Sequence, residues 1–446
     1  MSSGDPSNWR RSARWLILAF ASVLALDHYY NHLARTPGID FYQYWAVPTA
    51  RGVSSDSLGS PYSESDRYAA VLAALAEGSA DNRLKAVTEY RQDPGFASTP
   101  LLYVIGGWLP GDYTTALRTY QFLQFAAFAS ALFLLARRAS IPSLDIASLG
   151  LLMYVFYMPV LSELRVLNTN AFQLAAVAAA VTLLGGGGRE SRALRDAAAL
   201  GLTVLLVFLK PLWAPLPVLV GLHLYWRGGW VAARRPAAAG VGVAAMLYAW
   251  PALVFGTGVW GDWYQKVFGG DSRHLVYSIE EGNRSAPVVL GQVAGWSLGG
   301  ALGLLGGGIV LSLLAVAVTH RHRRGRSAGS VHSLVDGVLS RPEVALSFGI
   351  VAMLALSPLA WWHYYTLALV PIFVLLSPGA SRLQVALACL SFLLSSGRLG
   401  PVYVWFADGD LATIFGVAFA WMPLWVGLLL PLKSVPQATG VSILTE

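Results

Sequence analysis

Apolar segments long enough to cross a lipid bilayer recur along the whole chain, and they constrain its fold more than any other feature. Because backbone N–H and C=O groups cannot stay unpaired in hydrocarbon, a chain with many such segments folds as a bundle of helices. The pattern predicts about 12 membrane-spanning helices, from runs of roughly 16 to 22 residues. These runs lie near 14–30, 116–136, 142–160, 170–186, 194–210, 211–227, 236–256, 297–318, 343–360, 363–379, 382–397 and 411–432. The predicted fold class is therefore all-α, a polytopic membrane protein whose residues 1–446 form a single integral membrane domain.

The composition supports this class and excludes several others. Of the 446 residues, 55% are hydrophobic and only 12% are charged. Cys389 is the only cysteine, which excludes an intramolecular disulfide and a cysteine metal cluster. The sequence has no Walker loop, no Gly-rich dinucleotide fingerprint and no pair of histidines at metal-ligand spacing. We therefore expect neither a cofactor nor a metal.

The distribution of Lys and Arg predicts the orientation in the membrane. A net charge of +7 does not imply a nucleic-acid partner, because membrane proteins accumulate Lys and Arg in their cytoplasmic loops. Basic clusters fall in alternate loops, at 137–138, 189–195, 227–235 and 321–326. This asymmetry predicts cytoplasmic termini and an outward-facing first loop. Because Ala and Gly are abundant and Arg is preferred over Lys, we expect a bacterial inner (plasma) membrane protein.

Three segments outside the predicted spans are long. The first outer loop covers about 31–115 and contains a predicted helical stretch near 64–90, the second outer loop covers 257–296, and a basic cytoplasmic loop covers 319–342. Long connections in compact proteins are usually functional. We therefore expect the functional residues on the outer face.

Asp40 lies just past the first apolar segment, in the run Asp40-Phe41-Tyr42-Gln43-Tyr44-Trp45. A carboxylate beside a hydrophobic cavity is costly unless it does chemistry, binds an ion or pairs with a cation. The alternative is a solvated loop carboxylate beside interfacial aromatic residues. The other polar residues of the outer half decide between the two interpretations.

Several cations share the outer face with this carboxylate. The candidate residues are Asp40, Tyr44, Glu163, Arg165, Asn168, Asn170, Lys210, Asn283, Arg284, Trp362, His363 and Tyr364. One carboxylate with several cations on one face suits a ligand that carries a phosphate. Each residue also has a simpler explanation: Lys210 as a lysine snorkelling to the interface, His363 as a hydrogen-bonded interfacial histidine, Glu163 with Arg165 as a local ion pair, and Trp361 with Trp362 as aromatic-belt residues.

Taken in order, these motifs resemble those of glycosyltransferase family 87, membrane transferases with the GT-C fold. Asp40-Phe41-Tyr42-Gln43-Tyr44 resembles the family's Asp-Phe-x-x-Tyr, and Leu209-Lys210-Pro211 resembles its Lys-Pro. The remaining matches are Ser60-Pro61-Tyr62, Thr99-Pro100-Leu101-Leu102-Tyr103, Asn168-Thr169-Asn170, Gly282-Asn283-Arg284-Ser285, and Ser357-Pro358 with Trp362-His363-Tyr364. Two departures stand out: Thr99 replaces the first Pro of Tyr-Pro-Pro, and Leu167-Asn168 replaces Gly-Gln.

The resemblance implies an inverting transfer of a sugar from a polyprenyl-phosphate donor to a glycolipid or glycan acceptor on the outer face of the membrane. The sugar would be mannose, arabinofuranose or another sugar. Asp40 would be the catalytic base. The residues implied to bind the donor phosphate are Lys210, His363, Arg165 and Arg284. Those implied to bind the substrate are Tyr44, Glu163, Asn170, Asn283, Trp362 and Tyr364.

Three other functions remain open from the sequence. A secondary transporter would also have about 12 spans, but its sites lie mid-membrane on broken helices, often with repeat symmetry. A lipid-linked glycan ligase, polymerase or flippase is a neighbouring possibility, and a partner protein that has lost its activity is another. A structure discriminates among them, because the transferase requires Asp40, Lys210 and His363 to converge on one outward cavity that a lipid tail can enter.

Overall fold

The computed structural model describes residues 6–54, 58–91, 98–186, 192–269, 283–323, 337–397 and 409–432. These residues are predominantly helical, and they contain no strand, which agrees with the all-α prediction. The α-helices are α1 (Pro6–Asn31), α2 (Ile39–Val53), α3 (Ser65–Gly78), α4 (Asn82–Tyr90), α5 (Pro100–Gly106), α6 (Tyr113–Arg138), α7 (Ser143–Phe156), α8 (Met158–Val166), α9 (Asn170–Gly185), α10 (Arg192–Leu209), α11 (Pro215–Phe255), α12 (Val259–Phe268), α13 (Ala286–Ala294), α14 (Leu298–Arg323), α15 (Pro342–Leu356), α16 (Leu369–Leu375), α17 (Arg382–Ser396), α18 (Gly409–Ala418) and α19 (Trp421–Leu429). Short 3-10 helices cover Leu33–Arg35, Pro211–Trp213 and Trp362–Ala368.

Fewer helices meet the requirements of a membrane span than the sequence predicts. Among the described residues, Tyr113–Arg138 and Pro211–Phe255 are long and apolar enough, and the bent pair α7 and α8 would make a third. Other apolar helices, such as α9 and α15, have 16 and 15 residues. At 1.5 Å per residue they reach about 24 Å, short of the roughly 30 Å hydrocarbon core. The predicted number of about 12 spans is therefore not established.

One helix break lies between two predicted spans, and another lies inside a predicted span. The predicted spans 211–227 and 236–256 form α11, which has non-helical backbone at Gly228 and Gly229. Gly229 has a φ of +63°, which glycine adopts without steric cost. The predicted span 142–160 is interrupted at Tyr157, and α7 and α8 meet there at a 69° bend. Pro159, in the first turn of α8, favours a new helix start because proline has no N–H to continue the preceding helix.

The first long segment between predicted spans, residues 31–115, contains four α-helices that pack on the bundle. Of these, α2 is the most buried, with Phe41, Tyr42, Trp45 and Val47 all no more than 4% exposed. The Trp45 indole N–H lies 3.2 Å from the carbonyl oxygens of Pro110 and Gly111. This burial and the Trp45 contacts hold α2 in place and so fix the position of its first turn.

The other two long segments are described only in part. In 257–296, the structure describes α12 and α13, while Asp271, His274, Glu280 and Glu281 lie outside the described residues. In 319–342, residues 324–336 also lie outside them.

Candidate active site

Asp40 lies in the first turn of α2, two residues after Gly38, whose backbone conformation favours glycine. Gly38 has a φ of +72°, and a Cβ at this position would come within 2.6 Å of Leu117 Cδ1. The Gly38 carbonyl accepts the Tyr42 N–H at 2.9 Å and so begins the helix. A carboxylate in the first turn is also favoured by the helix dipole.

Two donors hold the Asp40 carboxylate. Arg91 donates from Nη2 to Oδ1 at 3.0 Å, and Asn168 donates from Nδ2 to Oδ2 at 2.7 Å. The Asp40 side chain is 20% exposed. These contacts exclude the alternative of a solvated loop carboxylate.

Asn168 joins Asp40 to Lys210. The Lys210 Nζ donates to Asn168 Oδ1 at 2.8 Å and to Asn170 Oδ1 at 2.9 Å. It also lies 4.2 Å above the centroid of the Tyr364 ring, a cation–π geometry. Lys210 is therefore part of a polar cluster inside the protein, and the prediction of a lysine that only snorkels to the interface is wrong.

Glu163 forms the other end of the same cluster. Its carboxylate accepts hydrogen bonds from Asn170 Nδ2 at 2.8 Å, the Ala171 N–H at 3.0 Å and Gln124 Nε2 at 3.0 Å. Glu163 is 1% exposed, whereas Arg165 is exposed on the same helix. The alternative of a Glu163–Arg165 ion pair is wrong, because residues two apart on a helix do not face each other.

The segment that carries His363 approaches Lys210 from the other side. His363 is 5% exposed, and its ring lies edge-to-face against Tyr364 with the centroids 5.0 Å apart. Asn283 holds the preceding turn: its Oδ1 accepts from the Ala360 N–H at 3.1 Å, and its Nδ2 donates to the Pro358 carbonyl at 3.0 Å. Asp40, Asn168, Lys210, Tyr364 and His363 thus form one continuous series of contacts, which we call the Asp40–His363 series.

Two other candidates, Trp362 and Arg284, make contacts that hold the backbone. Trp362 lies against Gly397, where a Cβ would come within 2.1 Å of Trp362 Cη2. The backbone N–H of Arg284 donates to the Ala360 carbonyl at 2.8 Å, beside the hydrogen bonds that Asn283 makes to the same turn. The structure therefore brings together Asp40, Lys210, Asn170, Glu163, Tyr364 and His363, and places Trp362, Asn283 and Arg165 at packing, bracketing and surface positions.

The chain matches a known protein family. The model of glycosyltransferase family 87 matches residues 97–347, more than half of the chain. The chain belongs to glycosyltransferase family 87. The matched range includes Glu163, Asn168 and Lys210, whereas Asp40 and His363 lie outside it. No curated protein and no solved structure matches the chain.

Membership of family 87 confirms the resemblance seen in the sequence motifs and places the protein among the glycosyltransferases. The structure shows what each of the two departures does to the backbone. Leu167 has φ 57° and ψ 54°, a left-handed conformation that favours glycine, at the position where the family often has Gly. The Thr99 hydroxyl donates to the Leu209 carbonyl at 3.2 Å, so it links α5 to the turn that carries Lys210.

Tyr44 is a buried aromatic residue beside the site. It is 4% exposed, and its ring centroid lies 6.1 Å from that of Tyr120. Burial raises the pKa of Tyr44 well above its ordinary value, and the nearby Tyr120 and Asp40 add to the increase. Tyr44 therefore stays protonated at neutral pH, where it can donate a hydrogen bond but cannot act as a base.

Three residues of the site were not predicted from the sequence. Arg91 reaches Asp40 only because α3 and α4 fold back beside α2, and no sequence pattern signals that contact. Gln124 could have been predicted from the sequence, because an amide in the middle of an apolar segment is buried and needs a hydrogen-bond partner. Gly38, two residues before Asp40, was a second signal, because glycine often marks a left-handed turn.

No metal site is evident in the described parts of the chain. They contain no group of three or more His, Cys, Asp or Glu side chains arranged to hold a metal ion.

Proposed function

We propose that this family 87 protein is an inverting glycosyltransferase that takes a sugar from a polyprenyl-phosphate donor and transfers it to a glycolipid or glycan acceptor on the outer face of the membrane. The observation that carries this proposal is the Asp40–His363 series, which sets a carboxylate and a lysine on opposite sides of one amide. A transfer from a sugar phosphate needs a base for the acceptor and a cation for the leaving phosphate.

Asp40 is the base in this mechanism. The acceptor hydroxyl oxygen attacks the anomeric carbon, a new C–O bond forms, and the hydroxyl proton passes to the Asp40 carboxylate. Arg91 and Asn168 each occupy one acceptor position on Asp40, and the carboxylate retains lone pairs for the acceptor hydroxyl. Their contribution is to orient the carboxylate, since proximity and alignment are a large part of catalysis at a weak base.

Lys210 holds the leaving phosphate. As the bond from the anomeric carbon to the phosphate oxygen breaks, the electron pair goes to the phosphate, which needs no protonating acid. An ammonium has three N–H donors, and two of them bind Asn168 and Asn170. A phosphate oxygen would take the third in place of the contact with the Tyr364 ring, and one N–H of His363 would supply a second donor.

Glu163 and Asn170 act behind this contact. Because Glu163 accepts from the Asn170 Nδ2, the Asn170 Oδ1 faces Lys210 and fixes the ammonium position. Tyr44 and Tyr364 line the same region and would contact the sugar or acceptor. Asn283 and Trp362 position the loop that carries His363. The donor-phosphate role of Arg165 and Arg284 stays a prediction.

The experiment is a transfer assay with purified protein in detergent. Polyprenyl-phosphate mannose and polyprenyl-phosphate arabinofuranose, each radiolabelled, are incubated with extracted envelope lipids, and label in the acceptor fraction is measured. We expect transfer from a polyprenyl-phosphate sugar and none from the matching nucleotide sugar. Transfer from the nucleotide sugar alone would contradict the proposal.

A further inference from the structure

A second site lies at the far end of the helices that build the first one. The helix α9 begins at Asn170 in the Asp40–His363 region and ends at Gly185, about 24 Å away at 1.5 Å per residue. Gly185 lines a cavity of about 980 Å³. This cavity is therefore separated from the proposed catalytic residues by the length of a helix.

The cavity has a basic rim and an apolar wall. The arginines on its rim are Arg138, Arg192, Arg227 and Arg341. Val181, Phe373 and Leu428 are among the residues of the apolar wall. A cavity that combines a cationic rim with an apolar wall has the two surfaces that an amphipathic anion requires.

The acidic groups at this cavity do not balance its arginines. Glu343 is the acidic side chain among the described lining residues, and it accepts from Arg138 at 3.1 Å and Arg341 at 3.2 Å. Arg227 pairs with Asp196. Two carboxylates facing four guanidinium groups leave a positive excess, and each guanidinium has five N–H donors. The N-terminus of α15, at Pro342 and Glu343, also lines the cavity and adds the positive end of a helix dipole.

Two buried polar atoms at the cavity lack partners, and they point independently to a ligand. His223 is 2% exposed, and its Nδ1 donates to the Leu339 carbonyl. Its Nε2 is buried and has no hydrogen-bond partner within the described chain, and the same is true of the Ser377 hydroxyl. Both residues line the cavity. Buried polar groups are costly when unpaired. Because Nδ1 carries the proton, His223 Nε2 is an acceptor and suits a hydroxyl of a polar headgroup, whereas the Ser377 hydroxyl can donate to a phosphate oxygen.

We propose that this cavity binds the phosphate of an anionic phospholipid, with the headgroup at the arginines, His223 and Ser377 and an acyl chain along the apolar wall. The volume favours a lipid over a free phosphate ion, because cavities of several hundred Å³ or more hold molecules of drug size. Basic residues at the ends of membrane helices also attract anionic lipid. The site is distinct from the proposed active site, and its occupant is not the sugar donor.

The test measures binding and needs no sugar transfer. Purified protein is delipidated in neutral detergent and given phosphatidylglycerol, phosphatidylcholine or soluble glycerol 1-phosphate, and bound lipid is counted by native mass spectrometry while thermal unfolding is followed. We expect phosphatidylglycerol to be retained and to raise the unfolding temperature, with little effect from the other two. An equal effect of glycerol 1-phosphate would overturn the lipid assignment in favour of a free anion, and equal retention of the two phospholipids would overturn the anion site.

Substitutions at the rim locate the binding. Arg192→Gln changes an exposed side chain, and Ser377→Ala removes one unpaired hydroxyl, so neither is expected to disturb folding. We expect Arg192→Gln to weaken phosphatidylglycerol binding about tenfold, the usual effect of losing one charge-assisted contact. Arg234→Gln, an exposed arginine outside the cavity, and Asp40→Asn should both bind as the unmodified protein does. Wild-type affinity in Arg192→Gln and Ser377→Ala together would contradict the proposal.

Discussion

At the scale of single residues, two amides determine the arrangement of charges. Asn168 and Asn170 each donate to a carboxylate and accept from the same ammonium. Neither amide can be rotated by 180° without placing an N–H group against Lys210. The cluster therefore has one hydrogen-bonding arrangement, which keeps Lys210 between Asp40 and Glu163 without direct contact with either.

Arg91→Gln should lower kcat clearly while changing the free energy of unfolding little. The substitution removes one of the two donors that orient Asp40, and we expect about a tenfold loss in kcat, since small misplacements of a catalytic group are costly. The control is Arg67→Gln, which breaks the exposed Arg67–Glu64 pair in the same outer segment. Steady-state kinetics on both variants check the prediction. Equal kcat for Arg91→Gln and the control would show that Arg91 does not position the base.

Lys210→Met and His363→Gln should each weaken donor use by about ten- to a hundredfold, the effect of one charge-assisted contact. The two losses should be coupled, because both residues would bind one phosphate. A double-mutant cycle on kcat/KM for the donor measures this coupling, with Lys85→Met as an exposed control. Additive losses would mean that the two residues do not share a ligand group.

Lys210→Met should also reduce the free energy of unfolding by about 1 to 3 kcal/mol, because it leaves Asn170 Oδ1 without its lysine donor and Asn168 Oδ1 with only the Thr169 donors. A lysine that only snorkels to the interface would show no such loss.

Lys210 and Asp40 could be predicted from the sequence because charges at the ends of apolar segments are costly. Arg91 could not be predicted, because its contact with Asp40 depends on how two distant helices fold back.

At the scale of elements, the position of Asp40 depends on how closely α5 packs against α2. A Cβ at Gly106 would lie 1.8 Å from the Tyr44 carbonyl oxygen. This distance leaves no room for any side chain, so the two helices must separate if Gly106 is replaced. The sequence predicted helical structure near 64–90, where α3 and α4 lie, but it could not predict this contact, because the clash involves the backbone of a helix more than 50 residues away.

Gly106→Ala should displace α2 and with it the Asp40 carboxylate. We expect a loss of about 1 to 3 kcal/mol in the free energy of unfolding, as in other overpacked cores, together with reduced turnover. Gly111→Ala is the matched control, since nothing lies within 4 Å of a Cβ there. Thermal unfolding in detergent measures the difference. Equal stability of the two variants would contradict the close packing of α5 on α2.

At the scale of the whole molecule, the orientation in the membrane rests on the distribution of Lys and Arg. The break at Tyr157 lies inside one predicted span and shows why the number of spans could not be read from hydropathy. An apolar run predicts a helix, but it does not show where the helix bends or whether it reaches across the bilayer. The all-α class followed from composition and pattern alone.

Labelling of single cysteines tests the orientation. In a Cys389→Ser background, an impermeant reagent applied to intact cells should modify Ser278→Cys and leave Gly329→Cys unmodified, because the loop with more arginines should be cytoplasmic. Both cysteines should react after the cells are permeabilised. The reverse pattern would place Asp40 on the cytoplasmic side and exclude a donor used on the outer face.

The central claim is that the Asp40 carboxylate is the base of a sugar transfer, and the turnover of Asp40→Asn tests it most directly. Asparagine keeps the size of aspartate but cannot take the acceptor proton. Its carbonyl oxygen can accept from Arg91 or Asn168, while its NH2 group faces the other donor and loses that hydrogen bond. Asp66→Asn is the control, since Asp66 is an exposed aspartate in the first turn of α3. With the proposed polyprenyl-phosphate donor, we predict that Asp40→Asn lowers turnover by roughly two to four orders of magnitude, while the lost hydrogen bond reduces the free energy of unfolding by only about 1 to 3 kcal/mol. Turnover within a few-fold of the Asp66→Asn control would contradict the account and move the base to another residue.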